Sequence, residues 1–272
     1  MIFTTTYILF LIGIGIIVGL AAGLLGVGGG FLMVPLQYFA LQTIGIPSDL
    51  AFRIALGTSL TCIIPTSLSG AYTHIKESKI DILKPGIMFG VFGIIGGFIG
   101  GNISTIIPTR ALEILFGLLL IGIAINMFLK KDDTENEPKL KLNYLTAGII
   151  GIVVGFFAGL LGIGGGVFII PILTMLFGFT MVEAIGTSTI FIPFSSIGGS
   201  ISYMLSGWGA NILPYSIGYV NLVNFILIII FSIPMAHYGA KIAYKINEKH
   251  LRILFAIVLV IISLKMLKIL PF

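Results

Sequence analysis

Polar positions are rare along this chain and act as punctuation between long apolar runs. Tyr7 to Thr43 contains 37 residues without one charged side chain. One helix needs about 20 residues to cross a bilayer, so this run is too long for a single span. Gly28-Gly29-Gly30 interrupts it, and consecutive glycines stop a helix more readily than they continue one. The pattern therefore predicts a helical hairpin that bends at the glycines. Its second arm, Phe31 to Ile44, has 14 residues and is short enough to be re-entrant. Asp49 to Tyr72 is the next predicted span, with Ser48 and Asp49 as candidate N-caps. After the charged connection His74 to Lys84 come spans over Pro85 to Ile107 and Arg110 to Phe128. Lys130 to Lys141, KKDDTENEPKLK, is the one strongly polar stretch and reads as a solvated linker. Beyond it the plan recurs: a broken hairpin over Leu142 to Phe177, then spans over Glu183 to Leu205, Pro214 to His237 and Leu251 to Leu270.

The recurrence is literal at the hairpin bends. Gly19 to Leu36, GLAAGLLGVGGGFLMVPL, aligns without a gap on Gly155 to Ile172, GFFAGLLGIGGGVFIIPI, with ten identities in 18 positions. Gly57-Thr58-Ser59 and Gly186-Thr187-Ser188 follow the two copies in turn. Such self-similarity marks an internal duplication. The expected division is a first membrane repeat at 1–131, a cytoplasmic linker at 132–141 and a second membrane repeat at 142–272. Gly93, Gly97 and Gly101 recur every four residues, as do Gly96 and Gly100. That spacing predicts a helix inside the bundle, where small residues let backbones approach closely.

Composition narrows the class. The chain is 57% hydrophobic and 9% charged, with mean hydropathy +1.16, which excludes an ordinary soluble domain of 272 residues. The first apolar segment has no basic leader and no small-residue cleavage site, so it is read as a retained helix. The net charge of +5 comes from Lys and Arg in short connections, as the positive-inside rule would produce, and requires no nucleic acid. Cys62 is the single cysteine and His74, His237 and His250 are scattered, so neither disulfides nor a metal site are expected.

Charge also decides between parallel and inverted repeats. If each hairpin enters and leaves by two helices, the 15 basic residues divide 11 to 4, with Arg53, Arg110, Lys265 and Lys268 as the minority. If each hairpin makes one crossing, the division is only 9 to 6. The first arrangement is the more asymmetric, hence the better topology. The expected fold is an all-α polytopic membrane protein of two inverted repeats. Each repeat is a glycine-broken helical hairpin plus three transmembrane helices, with both termini outside the cytoplasmic membrane.

In an inverted repeat the two glycine turns approach from opposite faces. The helices that start after them would then aim uncapped N–H groups and partial positive charge at one place, which suits an anion without a buried Lys or Arg. Candidate substrate-binding residues are Gly28, Gly29, Gly30, Gly164, Gly165 and Gly166, with hydroxyls from Thr58, Ser59, Thr187 and Ser188. Close packing is the bland alternative for the glycines, and bonding to the helix's own carbonyls is the alternative for the hydroxyls. Arg53 and Glu183 lie near span ends, where snorkelling to the interface competes with a buried pair. Trp208 lies in a short connection, as an interfacial aromatic would. For His237, interfacial placement competes with a proton relay. No intramembrane carboxylate stands out. Gly26 to Phe31 fails G-x-G-x-x-G at its last position and follows no strand, and no catalytic carboxylate pair or Ser-His-Asp set appears, so an enzyme is not expected.

The duplicated AGLLGVGGGFLMVPL and AGLLGIGGGVFIIPI, the Gly-Thr-Ser after each, and the His74 to Asp81 connection closely resemble the TauE/SafE sulfite exporter family, also called toluene sulfonate uptake permeases. The resemblance covers nearly the whole chain. It implies a permease for sulfite, sulfonates or related organic anions, in a family often drawn with seven or eight helices, where ten segments are expected here. Export of a small anion is the leading reading. An importer coupled to a cation and a membrane scaffold or insertion subunit for a partner complex are the alternatives. The expected partners are a small anionic substrate and the lipid bilayer, without cofactor, metal or nucleic acid, and a homodimer is left open.

Overall fold

The computed structural model describes residues 4–77, 81–129, 140, 142–209, 213–243, 257 and 260–269. The first repeat comprises α1 (Thr5–Leu25), α2 (Gly30–Thr43), α3 (Ser48–Glu77), α4 (Leu83–Ile106) and α5 (Thr109–Leu129). The second comprises α6 (Tyr144–Leu161), α7 (Gly166–Leu176), α8 (Met181–Ser206), α9 (Leu222–Ala243) and α10, described over 260–266. Six of these helices, α1, α3, α4, α6, α8 and α9, are long and apolar enough to cross a membrane. The chain is thus an almost entirely helical, multi-pass membrane protein. Most of the expected linker, 130–139 and 141, and the start of the last predicted span lie outside the described residues.

Local chemistry explains where the helices start and stop. Gly26 and Gly162 end α1 and α6 in left-handed conformations, at φ 64° and 68°. Asn143 with Thr146, and Thr180 with Glu183, form reciprocal capping boxes at the starts of α6 and α8. Glu183 is therefore a helix cap. Arg53 instead donates to the Ser104 and Ile107 carbonyls at the end of α4, so the two do not pair. At 14 and 11 residues, α2 and α7 reach only about 21 and 17 Å at 1.5 Å per residue, too short to span.

The sequence reading began a span at Pro214, and the structure corrects this to Leu222. Residues 214–221 instead form a turn carrying the two-residue strands β1 (Ser216–Ile217) and β2 (Val220–Asn221). Tyr215 sits at φ 62°, and the Asn221 side chain donates to the Pro214 carbonyl while accepting from the Asn224 N–H. A helix-capping asparagine thus replaces the expected first two turns. Trp208, just before this turn, is 73% exposed, which suits an aromatic at the membrane interface.

The repeats interleave. Each repeat's fourth helix packs on the first and third helices of the other: α4 against α6 and α8, α9 against α1 and α3. Glycine makes these seams possible. A Cβ on Gly96 or Gly100 would lie 2.1 or 1.9 Å from carbonyl oxygens of α6, and one on Gly97 would lie 2.1 Å from the Ser195 carbonyl of α8. The two glycine rows of α4 therefore serve two different neighbours. Along α1 from Gly15 through Gly19 to Gly23, the facing α9 residues climb from Ile228 through Ser232 to Ala236, so these helices run in the same sense. α4 runs with α6 and with α8 by the same test, and the Thr66–Ser232 and Thr73–His237 bonds set α3 alongside α9 in one sense. Between α3 and α8 the order reverses: Thr61 meets Ser200, whereas Gly70 meets Thr189.

Candidate anion site

The two glycine turns have the same backbone. Gly28 and Gly29 sit at φ 75°, and Gly164 and Gly165 at 75° and 86°, in the left-handed region that side chains other than glycine rarely adopt. Gly29 and Gly165 occupy the N-cap positions of α2 and α7, and neither helix start has a side-chain cap. The Leu32 and Met33 N–H groups bond the Gly29 carbonyl, and those of Phe168 and Ile169 bond that of Gly165. The N–H groups of Gly30, Phe31, Gly166 and Val167 precede any helical acceptor, so each helix start directs two donors forward.

The turns meet. A Cβ on Gly30 would lie 2.6 Å from the Ile163 Cα, and a Cβ on Gly166 would lie 2.6 Å from the Val27 Cα. Gly28 and Gly164 both face Ile63 and Ile192, which occupy equivalent places on α3 and α8. All six candidate glycines are thus in one cluster. Gly29 and Gly165 face away from its centre, towards Val18 of their own hairpin arm and towards Phe191 with Ala158, respectively.

The four candidate hydroxyls divide. Ser59 donates to the Gly162 carbonyl at 3.0 Å, and Ser188 donates to the Gly26 carbonyl. Each hydroxyl therefore reaches from one repeat to the turn of the other. Thr58 and Thr187 make no hydrogen bond to the turns: Thr58 Oγ1 accepts the Asn221 N–H, and Thr187 Oγ1 is buried with no hydrogen-bond partner among the described residues. Ser195, which sequence reasoning missed, donates to the Gly164 carbonyl at 2.7 Å. Its neighbour Ser196, also missed, is fully buried with its hydroxyl near Gly164. Both lie seven and eight residues past Thr187-Ser188 on one apolar helix, and only the distance to the turn distinguishes them from any other membrane serine.

The hydroxyls confer a sign on the cluster. Three turn carbonyls, those of Gly26, Gly162 and Gly164, accept side-chain hydrogen bonds, so their negative ends are occupied. The forward N–H groups remain, together with the positive ends of two helix dipoles. Such a cluster is suited to an anion and poorly suited to a cation.

A second polar group supplies the carboxylate that did not stand out in the sequence. Glu113 in α5 is 2% exposed. It accepts from the Tyr38 hydroxyl at 2.6 Å and from Arg110 at 3.0 Å, with Lys268 at 3.5 Å. The spacing Arg110-x-x-Glu113 was its visible signal. Arg110 also donates to the Met266 and Leu267 carbonyls, so the cluster ties α2, α5 and the end of α10 together. Its carboxylate is paired and sits one turn into a helix, as a fastening would. His237, half-buried, bonds Thr73 at 2.7 Å.

This is the architecture of a polytopic membrane protein, and its relatives set it among transporters rather than enzymes. The family model for the sulfite exporter TauE/SafE matches residues 11–266, and the chain belongs to that family. A probable membrane transporter protein of Methanocaldococcus jannaschii is 36% identical over 261 residues, covering 94% of each chain. One from Haemophilus influenzae is 35% identical, covering 96% of this chain and 98% of its own, and one from Bacillus subtilis is 32% identical, covering 88% of each. No solved structure matches the chain.

Proposed function

We propose that the protein is a secondary permease that exports a small oxyanion, sulfite or an organosulfonate, across the cytoplasmic membrane. The observation that carries this reading is the meeting of two uncapped helix starts whose neighbouring carbonyls are covered by hydroxyls. Gly28, Gly29, Gly30, Gly164, Gly165 and Gly166 supply the turns. Ser59 and Ser188 act as positioning groups for them. Thr58 anchors the 214–221 turn, and Thr187 keeps a buried hydroxyl that has no hydrogen-bond partner among the described residues.

The repeats are inverted in this reading. Support comes from α3 running against its counterpart α8, while α1 runs with α9 and α4 runs with α6. The short connections then put Lys76, Lys84 and Lys241 at one end and Arg53, Arg110, Lys265 and Lys268 at the other, in line with a cytoplasmic linker and external termini. The turns touch, so an anion enters only when they part. Alternating access would open that contact to one face and then to the other. With the cell interior negative, each exported negative charge gains about 2.3 kcal/mol per 100 mV, so export needs no coupling ion.

Counterflow in proteoliposomes tests the reading. The purified chain should exchange labelled sulfite or a short sulfonate above empty vesicles. If sulfite, sulfonates and short carboxylates all fail to exchange, the permease reading is refuted.

A further inference from the structure

The two repeats present their turns with nearly equal backbones and unequal side chains. Ser67 and Ser196 are equivalents, each nine residues past the threonine of its Gly-Thr-Ser. Ser67 donates to the Ile63 carbonyl at 2.6 Å, and so is satisfied within its own helix. Ser196 is fully buried and its Oγ has no hydrogen-bond partner among the described residues. That oxygen lies 3.1 Å from the place a Cβ on Gly164 would take, so it is aimed at the turn leading into α7.

A buried hydroxyl without a partner is costly, and its presence calls for an explanation. A helical serine has a ready alternative, the carbonyl one turn back, which Ser67 uses and which Ser195 also reaches at Ile192. Ser196 forgoes it beside a helix start whose Gly166 and Val167 N–H groups point forward without a cap. The hydroxyl beside Gly164 and the two amide N–H groups at the start of α7 make three donors without an acceptor among the described residues. The carbonyl that would otherwise compete, that of Gly164, is held by Ser195.

We propose that Ser196 is a substrate-binding residue and that the anion is held in the second repeat's turn, off the axis relating the two repeats. The first repeat's turn acts as the opposing wall. This rests on the anion-permease reading above and adds to it an asymmetry that the duplicated motifs do not contain. Substrate arrival supplies the hydroxyl with its acceptor. In a symmetric site the two serines would contribute equally, whereas here only one has a hydroxyl to offer.

The test compares Ser196→Ala with Ser67→Ala in the full-length purified protein, using sulfite and methanesulfonate as probes. Counterflow and ligand-induced thermal stabilisation are read for each variant. Ser196→Ala should weaken the apparent affinity about ten- to hundredfold, the loss of one hydrogen bond to a charged group. Its ligand-free melting temperature should stay the same or rise, because a buried unsatisfied hydroxyl has been removed. Ser67→Ala should change affinity less than threefold. Equal losses from both variants, or wild-type affinity in Ser196→Ala, overturn the proposal while leaving a permease in place. A wild-type protein that exchanges neither probe refutes the underlying reading instead.

Discussion

Gly30 and Gly166 offer the cleanest perturbation of the meeting point, because both lie inside helices and neither requires a left-handed backbone. Alanine is therefore tolerated locally and is worth up to about 1 kcal/mol in helix propensity. Its methyl group is not tolerated by the neighbour. At Gly30 it would lie 2.6 Å from the Ile163 Cα and 2.9 Å from the Ile163 carbonyl carbon, and at Gly166 it would stand equally close to Val27. Carbon atoms rest about 3.5–4.0 Å apart, so the turns must separate by about 1 Å, and backbone cannot rotate aside as a side chain can. Overpacking of this kind costs about 1–3 kcal/mol, leaving a net destabilisation of up to about 3 kcal/mol and a folded protein. The donors of the proposed site, however, would have to lie within about 3 Å of an oxyanion, so a 1 Å displacement should reduce sulfite exchange at least tenfold. Both methyl groups wedge the same contact, so the double variant should lose less than the sum of the single losses, by at least about 0.5 kcal/mol. Proteoliposome exchange and thermal denaturation measure the two effects separately. Wild-type transport by both single variants, or strict additivity in the double, would show that the turns do not act together.

Three further expectations concern the scaffold. Ser59→Ala and Ser188→Ala should each destabilise the protein by about 1–3 kcal/mol, since each leaves a buried turn carbonyl without its donor, and thermal melts should show similar losses. Gly97→Ala, with its Cβ 2.1 Å from the Ser195 carbonyl, should lower the melting temperature more than it lowers substrate affinity in the protein that remains folded. In a Cys62→Ser background, an impermeant thiol reagent should label Trp208→Cys in intact cells and spare Tyr144→Cys, both native side chains being 73% exposed. The opposite labelling would reverse the proposed orientation.

The helices were legible because lipid leaves no other option for a charge-poor chain, and the bends were legible because glycine triplets at two equivalent places have no simpler use. What a glycine touches was less legible. The triplet said that the chain turns, but not that Gly30 and Gly166 face the other repeat while Gly29 and Gly165 face inward on their own. Hydroxyls were the hardest to read. Gly-Thr-Ser was visible twice, yet a one-residue step on a helix rotates a side chain by about 100°, enough to send Ser59 to the opposing turn and Thr58 to the Asn221 N–H. Glu113 escaped because a carboxylate one turn into a span looks interfacial until Tyr38, Arg110 and Lys268 are seen closing over it. Pro214 misled because the apolar run continues through it, whereas the asparagine that caps the helix lies seven residues later.

The seams between helices constrain how the turns can part. Where glycine sits against backbone, as along α1 with α9 and α4 with α6, sliding by even 1 Å would drive atoms together, so these pairs move as units. Glycine also binds α8 to α4, and hydroxyl bonds bind α3 to α9. An opening that keeps these seams intact must therefore divide the molecule between α3 and α8, across the Thr61–Ser200 contact, whose oxygens are 2.6 Å apart. The dividing line does not follow the boundary between the repeats, because each repeat lends its fourth helix to the other. A Thr61→Cys, Ser200→Cys pair in the Cys62→Ser background, oxidised with copper phenanthroline, would join α3 to α8. Transport should stop on oxidation and return on reduction with dithiothreitol, while a disulfide across the α1–α9 seam should leave it intact. Undiminished transport through the oxidised α3–α8 pair would place the moving boundary elsewhere.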